Sequence, residues 1–253
     1  MLNQHTLERL RKMRLDGMAD AFAQQMQATT HDSLSFGERF GMMVDAEWTL
    51  RDGRRLRRLL KEAKLRVAAC VEDIDWRQPR SLDRGVILEL AGCDWIRSRH
   101  NVLIEGPTGA GKTYLACALA NAACRQGFSA RYYRVPRLMT ELSVAKGDGS
   151  YPRLLAKLSR TQLLVLDDWG LAPFTAAESR DILEVIEDRS QSSSTIVASQ
   201  LPCEHWHSAI ADPSVADAVL DRLIHNAHRL VMKGESMRKL KLKDSEPSKK
   251  EQN

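Results

Sequence analysis

A glycine-rich segment, residues 106–113, has the residue types and the spacing that most clearly predict chemistry. It fits the pattern G-x-x-x-x-G-K-[ST] at every fixed position and lies between an apolar stretch and a helical one. Glycines at these positions let successive backbone N–H groups face one anion at the amino end of a helix. An ordinary glycine-rich turn is the alternative. We predict a loop that binds the phosphates of a nucleotide, formed by Gly106, Pro107, Thr108, Gly109, Ala110, Gly111, Lys112 and Thr113.

Two polar residues of this loop and two later carboxylates have predicted roles. Lys112 places a positive charge on the β- and γ-phosphates, and Thr113 offers its hydroxyl group to Mg²⁺. The apolar stretch 163–166 runs directly into Asp167 and Asp168. In a parallel sheet both acids lie at the carboxyl edge, where ligands bind, so we expect Asp167 to hold Mg²⁺ and Asp168 to orient or deprotonate a water molecule. Two adjacent acids that cap the next turn are the alternative.

The elements that position these residues are predicted from alternating strands and helices after residue 100. This alternation predicts an α/β fold with a parallel sheet flanked by helices, and together with the glycine-rich segment it indicates a P-loop NTPase. The strands are expected at 101–105, 130–135, 163–166 and 195–199, and the helices through about 126, over 137–146 and over 176–190.

Up to residue 96 the pattern is helical throughout. Gly17 is predicted to separate two helices, and Ser35 with Glu38 has the form of a capping box. Further helices are expected over 54–68 and from Ser81 to about Trp95. We therefore predict three regions, namely a small helical domain, a strand–helix domain that contains the glycine-rich segment, and a charged tail that we expect to be disordered, over residues 1–96, 97–238 and 239–253.

The segment 51–67 is predicted to be a helix with a basic face. Its apolar residues recur at helical spacing from Leu56 to Val67 and form one stripe that faces a core. Like charges so close together repel, so we predict that the opposite face binds DNA phosphates. No Asn or Gln lies among these cations to read base edges, which favours binding that is largely independent of sequence. A solvated basic face is the alternative. The five cations are Arg51, Arg54, Arg57, Arg58 and Lys61.

Composition and charge narrow the class of protein further. The 253 residues are 43% hydrophobic and carry a net charge of +5, with +6 in residues 51–66 and +4 in residues 229–253, which leaves −5 elsewhere. Basic charge concentrated in two places suggests a polyanionic partner such as nucleic acid. No apolar run is long enough to span a membrane, and no secretory signal is apparent. The five irregularly spaced cysteines indicate reduced thiols, so we expect a cytoplasmic protein.

An ordered set of motifs extends beyond the glycine-rich loop. It comprises LDGMA at 15–19, DAEW at 45–48, DDWG at 167–170, SQLP at 199–202, DRL at 221–223 and GESMR at 234–238. Together with the loop, these motifs resemble the IstB family of AAA+ ATPases, which assist DNA transposition and are related to DnaC-type helicase loaders. The resemblance covers about residues 7–239.

The resemblance implies that the chain binds ATP and Mg²⁺ and hydrolyses ATP to ADP and phosphate, with slow turnover stimulated by assembly on DNA. Ser199 and Gln200 occupy the first sensor position, and either one could sense the γ-phosphate. Arg222 matches an arginine finger supplied to a neighbouring subunit, and Arg238 matches a terminal arginine of the loader-like branch. Asp168 stands where most relatives in the wider superfamily have Glu, and this shorter carboxylate suggests slow hydrolysis.

These features lead to one main hypothesis and three alternatives. We expect an ATP-dependent regulator that assembles as a ring or helical array of copies on duplex DNA and assists a transposase. A replicative helicase loader of the DnaC type is the nearest alternative. A small-molecule kinase is disfavoured because the candidate lid at 146–150 has one cation. A DNA-binding scaffold that does not hydrolyse ATP is the third alternative, which applies if Asp168 cannot activate water.

Overall fold

A computed structural model of the chain describes residues 2–27, 33–78, 80–234 and 237. Its helices are α1 Leu2–Lys12, α2 Asp16–Gln27, α3 Phe36–Ala63, α4 Arg84–Ala91, α5 Asp94–Arg97, α6 Lys112–Arg125, α7 Val135–Asp148, α8 Tyr151–Arg160, α9 Ala176–Arg189 and α10 Pro213–Ile224. Its strands are β1 Asn101–Glu105, β2 Ala130–Arg134, β3 Leu163–Trp169, β4 Ser194–Ser199 and β5 Ala227–Val231. Two short 3-10 turns lie at Cys203–His205 and His207–Ala209. No helix among the described residues is long and apolar enough to cross a membrane.

The five strands form one parallel sheet in the order β2-β3-β4-β1-β5. Every residue of β1 and of β4 is buried, as expected for central strands covered by helices on both faces. The predicted α/β fold is therefore confirmed. The carboxyl ends of β1 and β3 lie at the same edge, because Glu105 of β1 pairs with Ser199 of β4 and Trp169 of β3 pairs with the same residue.

The sequence pattern missed three elements of this region, namely α8, α10 and β5. Both helices have a proline within the first two positions, which is favourable at a helix start but interrupts a search for apolar periodicity. The edge strand β5 has little apolar alternation, since it is buried mainly at Leu230. The helix predicted over 137–146 begins two residues earlier, at Val135, which was predicted to end a strand.

A buried arginine joins three elements at the amino edge of the sheet. Arg189, at the end of α9, is only 1% exposed and donates hydrogen bonds to the carbonyl groups of Leu158, Thr161 and Ser194. Burial lowers the pKa of its guanidinium group to about 9. Its donors therefore help to satisfy the carbonyl groups at the end of α8 and at the start of β4.

In the amino-terminal region, Gly17 lies inside α2 rather than between two helices. A Cβ atom at this position would lie 2.7 Å from the carbonyl oxygen of Ala46 on α3, so the glycine permits close helix packing. The turn between α1 and α2 falls at residues 13–15, where Arg14 has a φ of 59°. Glu47 of α3 accepts a hydrogen bond of 2.8 Å from the Gly17 N–H group and so satisfies the amino end of α2.

The capping box predicted at Ser35 is confirmed, since Glu38 accepts from the Ser35 N–H group at 2.8 Å and Ser35 accepts from the Glu38 N–H group at 3.3 Å. The helix that follows runs unbroken from Phe36 to Ala63, so the separate helix predicted over 54–68 is wrong. Gly53 lies in its interior, where glycine costs only about 1 kcal/mol relative to alanine. The side chain that caps α4 is that of Asp83 rather than Ser81.

The described chain divides into two compact units after Arg58, whereas the sequence pattern placed the first boundary after residue 96. The two boundaries differ because the segment 59–96 buries apolar side chains, including Val71, Ile74 and Ile87, and belongs to the second unit. An ion pair of 2.6 Å between Glu72 and Arg125 of α6 adds to this packing. The charged tail predicted at 239–253 lies outside the described residues.

Candidate functional site

The glycine-rich loop connects β1 to α6, as the sequence predicts for a phosphate-binding loop. Gly106, Gly109 and Gly111 all have φ between 85° and 148°, in the range that side chains disfavour. A Cβ atom on Gly106 would lie 2.4 Å from the carbonyl oxygen of Met232, so this position excludes any side chain. The glycines are therefore needed for the path of the backbone at the amino end of α6.

Lys112 is the first residue of α6 and is 92% buried. Its Nζ atom donates to the carbonyl oxygens of Gly106 at 2.7 Å and Pro107 at 2.8 Å. These contacts hold the ammonium group inside the loop, where a phosphate would meet it.

The acid pair lies beside this loop. The Thr113 hydroxyl group donates to Oδ2 of Asp167 at 2.8 Å, and the hydroxyl group of Tyr132 on β2 donates to the same oxygen at 2.6 Å. Burial and the Asp167 carboxylate both raise the pKa of Tyr132, so this phenol remains a donor at neutral pH. Hard oxygen donors from Thr113 and Asp167 fit the ligand preference of Mg²⁺.

Asp168 differs from Asp167 in its backbone and in its partner. It has a φ of 58°, and its N–H group donates to Oδ1 of Asp167 at 2.9 Å. Nε of Arg134, the last residue of β2, donates to Oδ2 of Asp168 at 2.6 Å. The left-handed φ coincides with a register shift of β3 between Leu166 and Trp169, and the nearest side-chain partners of the two acids differ.

A further cation, Arg66, lies near both acids. Its Nη1 atom is 3.9 Å from Oδ2 of Asp167 and 3.9 Å from Oδ2 of Asp168. It also hydrogen bonds to Tyr132, and this contact is the main cause that raises the pKa of Arg66. Sequence reasoning missed Arg66, Tyr132 and Arg134. Alternation along β2 could have placed the latter two on one face, but no sequence signal distinguishes Arg66 from its basic neighbours.

Ser199 and Gln200 at the end of β4 have different surroundings. The Ser199 hydroxyl group is fully buried and donates to the carbonyl oxygen of Trp169 at 2.8 Å. In contrast, Oε1 of Gln200 accepts from the hydroxyl group of Thr108 in the loop at 2.6 Å. The structure thus brings Gln200, rather than the Ser199 hydroxyl group, to the glycine-rich loop.

Most of these residues line one cavity of about 580 Å³, within the usual range for a small-molecule site. Its polar lining joins the loop and the acid pair with Arg66, Arg134 and Gln200. The charged and polar groups that face it include Arg66, Thr108, Lys112, Arg134, Asp168 and Gln200.

Arg222 lies at the other edge of the sheet. It is near the end of α10, and its backbone carbonyl accepts from Nδ2 of Asn101, the first residue of β1, at 3.2 Å. The glycine-rich loop follows Glu105 at the other end of β1, and four residues at about 3.3 Å each place Glu105 roughly 13 Å from Asn101. Nη2 of Arg222 pairs with Glu187 at 2.9 Å. Arg222 is therefore not part of the site in its own chain, and Arg238 lies outside the described residues.

The predicted basic face of α3 has two classes of cation. Arg51 pairs with Glu47 at 2.6 Å and Arg54 pairs with Asp16 at 2.9 Å. The other three, Arg57, Arg58 and Lys61, are exposed, and they have no ion pair within the described part of the chain.

The apolar stripe of this helix is shorter than predicted. Leu59 and Ala63 are buried and Leu56 is half-buried. Val67 lies beyond the end of the helix, because Lys64 adopts a left-handed φ of 50° and stops it.

Comparison with known proteins places these features in a family context. The family model described as IstB-like ATP binding protein matches residues 8–245. The chain is 48% identical over 239 residues to the putative insertion sequence ATP-binding protein y4pL of Sinorhizobium fredii, which covers 94% of this chain and 98% of that protein. It is 53% identical over 203 residues to the insertion sequence IS1162 putative ATP-binding protein of Pseudomonas fluorescens, which covers 80% of this chain and 88% of that protein.

Among solved structures, the DnaC helicase loader has a similar fold. The TM-score is 0.55 at 18% sequence identity, and the match covers 65% of this chain and 97% of the loader chain. At this level of identity the likeness supports the AAA+ P-loop fold alone.

Proposed function

Because this chain belongs to the family of IstB-like ATP binding proteins, we propose that it is an ATP-dependent DNA-binding regulator that assembles on target DNA and assists a transposase. One observation carries the proposal. The loop and the acid pair converge on one cavity, through the Thr113–Asp167 hydrogen bond, in a chain that resembles insertion sequence ATP-binding proteins over most of its length.

Within the cavity we assign each step to a residue of the chain. The backbone N–H groups of the loop and the Lys112 ammonium group bind the ATP phosphates, and Thr113 and Asp167 hold Mg²⁺. When bound, Mg²⁺ supplies positive charge that offsets the charge of the phosphates. Asp168 orients the attacking water and accepts its proton, and Gln200 rather than Ser199 senses the γ-phosphate from its position beside Thr108.

We further propose that ATP hydrolysis needs a second copy of the chain. Arg222 lies near the amino end of β1, whereas the glycine-rich loop follows the carboxyl end of this strand. A cation at that edge can reach a nucleotide only across a subunit interface, and this location favours a ring or helical array in which each copy supplies its arginine to the next.

DNA binding is assigned to the exposed cations of α3. Arg57, Arg58 and Lys61 have unpaired charge available for phosphates, within the described part of the chain, and no Asn or Gln lies among them to pair with adenine. We therefore propose duplex binding that depends strongly on salt and weakly on sequence. Arg51 and Arg54 contribute less, since each already has a carboxylate partner.

The transposase partner rests on the relatives. Two of them are named as proteins of insertion sequences, the mobile elements that a transposase moves. A helicase loader of the DnaC type is the second candidate, favoured by the similarity of fold to the DnaC helicase loader.

The test is a transposition assay with the transposase of the same insertion sequence, combined with duplex binding measured by fluorescence anisotropy. We expect transposition to require both proteins and to be lost with Lys112→Ala, while Arg77→Gln, a change in an exposed arginine outside the site, has no effect. Transposition that proceeds equally without this chain would refute the proposal. Stimulated loading of a replicative helicase in a parallel assay would favour the second candidate.

A further inference from the structure

The segment that follows α3 leads directly to the acid pair. Helix α3 ends at Ala63, and Arg66 is three residues further along the chain. Nη1 of Arg66 lies 3.9 Å from a carboxylate oxygen of Asp167 and from one of Asp168. The exposed cation Lys61, which we assign to DNA, is therefore five residues from a guanidinium group at the candidate catalytic site.

Strand β2 provides a second connection between the end of α3 and the acids. Nη2 of Arg131 donates to the backbone carbonyl of Glu62, in the last turn of α3, at 3.2 Å. The next residue, Tyr132, donates to Asp167, and Arg134 donates to Asp168. One strand thus contacts the end of the helix and both carboxylates, so a displacement of one is transmitted to the others through packed elements.

Arg66 offsets the charge of Asp167, a carboxylate that is only 2% exposed. The Arg66 side chain is 42% exposed, and its described contacts are with Tyr132 and the two acids. A cation beside carboxylates that hold Mg²⁺ and water offsets their charge, so its distance from them alters how strongly they interact with a metal–nucleotide complex. Moving Arg66 would change that interaction without any change in the acids.

We propose that Arg66 is a positioning residue that couples duplex DNA binding on α3 to the Asp167–Asp168 pair. The inference rests on the function proposed above and names the route of its regulation. DNA phosphates that bind the cations at the end of α3 shift this end and, with it, Arg66 relative to the two carboxylates. Because coupling between two binding sites is reciprocal, bound Mg²⁺ and nucleotide must change the affinity for DNA by the same factor.

The experiment measures this reciprocal coupling by binding rather than by turnover. Duplex affinity is determined by fluorescence anisotropy without nucleotide and with saturating Mg²⁺ and an ATP analogue that resists hydrolysis. For the wild-type chain we expect affinities that differ by about 5- to 150-fold, the typical range of such coupling. For Arg66→Gln we expect a clearly smaller ratio of the two affinities than for the wild-type chain, because the charge beside the acids is absent and only the β2 connection remains.

Three measurements separate coupling from a loss of structure. Arg66→Lys keeps the charge and should restore most of the ratio. Arg77→Gln is the matched control, because Arg77 lies in the same connecting segment with a side chain 91% exposed, and it should behave as wild type. Thermal unfolding should give similar midpoints for Arg66→Gln and Arg77→Gln.

The results of this experiment test the role of Arg66 separately from the proposed function. A wild-type chain that fails to bind duplex, or that binds it with no nucleotide dependence, would overturn the proposed function. A wild-type chain that couples, together with an Arg66→Gln chain that couples equally, would overturn only the role of Arg66. Loss of all duplex binding in Arg66→Gln would also overturn it, since Arg66 would then contact DNA itself.

Discussion

The glycine-rich loop and the basic face of α3 were both predicted from residue types at fixed spacing, yet their side chains are held very differently. In the loop, Lys112 and Thr113 each have internal partners at 2.7–2.8 Å. On the helix, Arg51 and Arg54 are neutralised by carboxylates of the same unit, while Arg57 and Arg58 have no such partner among the described residues. In both regions the spacing correctly predicted where the side chains lie. On the helix, however, it did not predict which of the cations are paired with carboxylates.

The reason is that the two patterns encode different physical requirements. The loop motif specifies backbone angles that only glycine adopts easily and a lysine that must follow them, so the sequence determines the geometry locally. Helical spacing specifies only which face a side chain occupies. Whether a carboxylate such as Asp16, 38 residues earlier in the chain, lies beside Arg54 is decided by tertiary packing.

The largest effect on ATP hydrolysis is expected from a substitution of Arg222. Unlike the loop and the basic face, this residue would act in a site that a second copy of the chain completes. Arg222→Ala should bind ATP nearly normally but lose about 10³- to 10⁵-fold in hydrolysis rate, the usual contribution of an arginine finger. ATP affinity and phosphate release would be measured on the same preparation.

The control for Arg222 is a mixing experiment. Mixing Arg222→Ala with Lys112→Ala should restore part of the hydrolysis, because some interfaces then combine an intact loop with an intact arginine. If the two variants assemble together and no activity returns, Arg222 does not act across an interface.

A smaller effect on hydrolysis is expected at Asp168. Asp168→Asn should retain ATP binding but reduce the hydrolysis rate by about 10²- to 10⁴-fold, the range for general acid–base catalysis. The Arg134 contact at 2.6 Å can still be made by the asparagine oxygen, so the fold should survive. Unchanged phosphate release would mean that Asp168 is not the catalytic carboxylate and that another group activates the water.

The nucleotide-binding half of the chain was the more predictable from sequence. The strands β1 and β4 and the motif residues lie where apolar runs and the loop pattern placed them, because central parallel strands are apolar throughout. The edge strand β5 lacked that signal. The location of Arg66 near the acids could not be predicted, because it depends on the direction of the chain after Lys64. No sequence pattern indicated that Lys64 has a φ of 50°.

The next test concerns the exposed cations of α3. Replacing Arg57, Arg58 and Lys61 with Gln should make the slope of log K against log salt shallower by about 2 to 3, since each phosphate contact contributes about 0.9. Affinity should fall similarly on unrelated duplexes, and ATP binding should persist. Gln has good helix propensity, so the helix should remain intact.

The matched control removes the same charge elsewhere. Arg153, Arg160 and Arg180 are exposed, lie outside the basic helix and have no ion pair within the described part of the chain. Their replacement with Gln should leave the salt slope close to wild type. Equal losses in both triple variants would indicate that net charge, rather than the face of α3, governs DNA binding.

The smallest effects are expected at the two paired cations of the same face, and they test directly whether pairing separates the two classes. Replacing Arg51 and Arg54 with Gln should change the salt slope by less than about 1, because Glu47 and Asp16 already offset their charge. The Arg54–Asp16 pair is exposed on both sides and should contribute at most about 1 kcal/mol to the free energy of unfolding, whereas the loss of Arg51 should cost more because the Glu47 side chain is only 8% exposed. Anisotropy titrations at several salt concentrations and urea unfolding would measure the two quantities on one preparation. A slope change per residue equal to that of the Arg57, Arg58 and Lys61 variant would show that DNA phosphates displace the carboxylates, and the whole face would then bind as the spacing alone suggests.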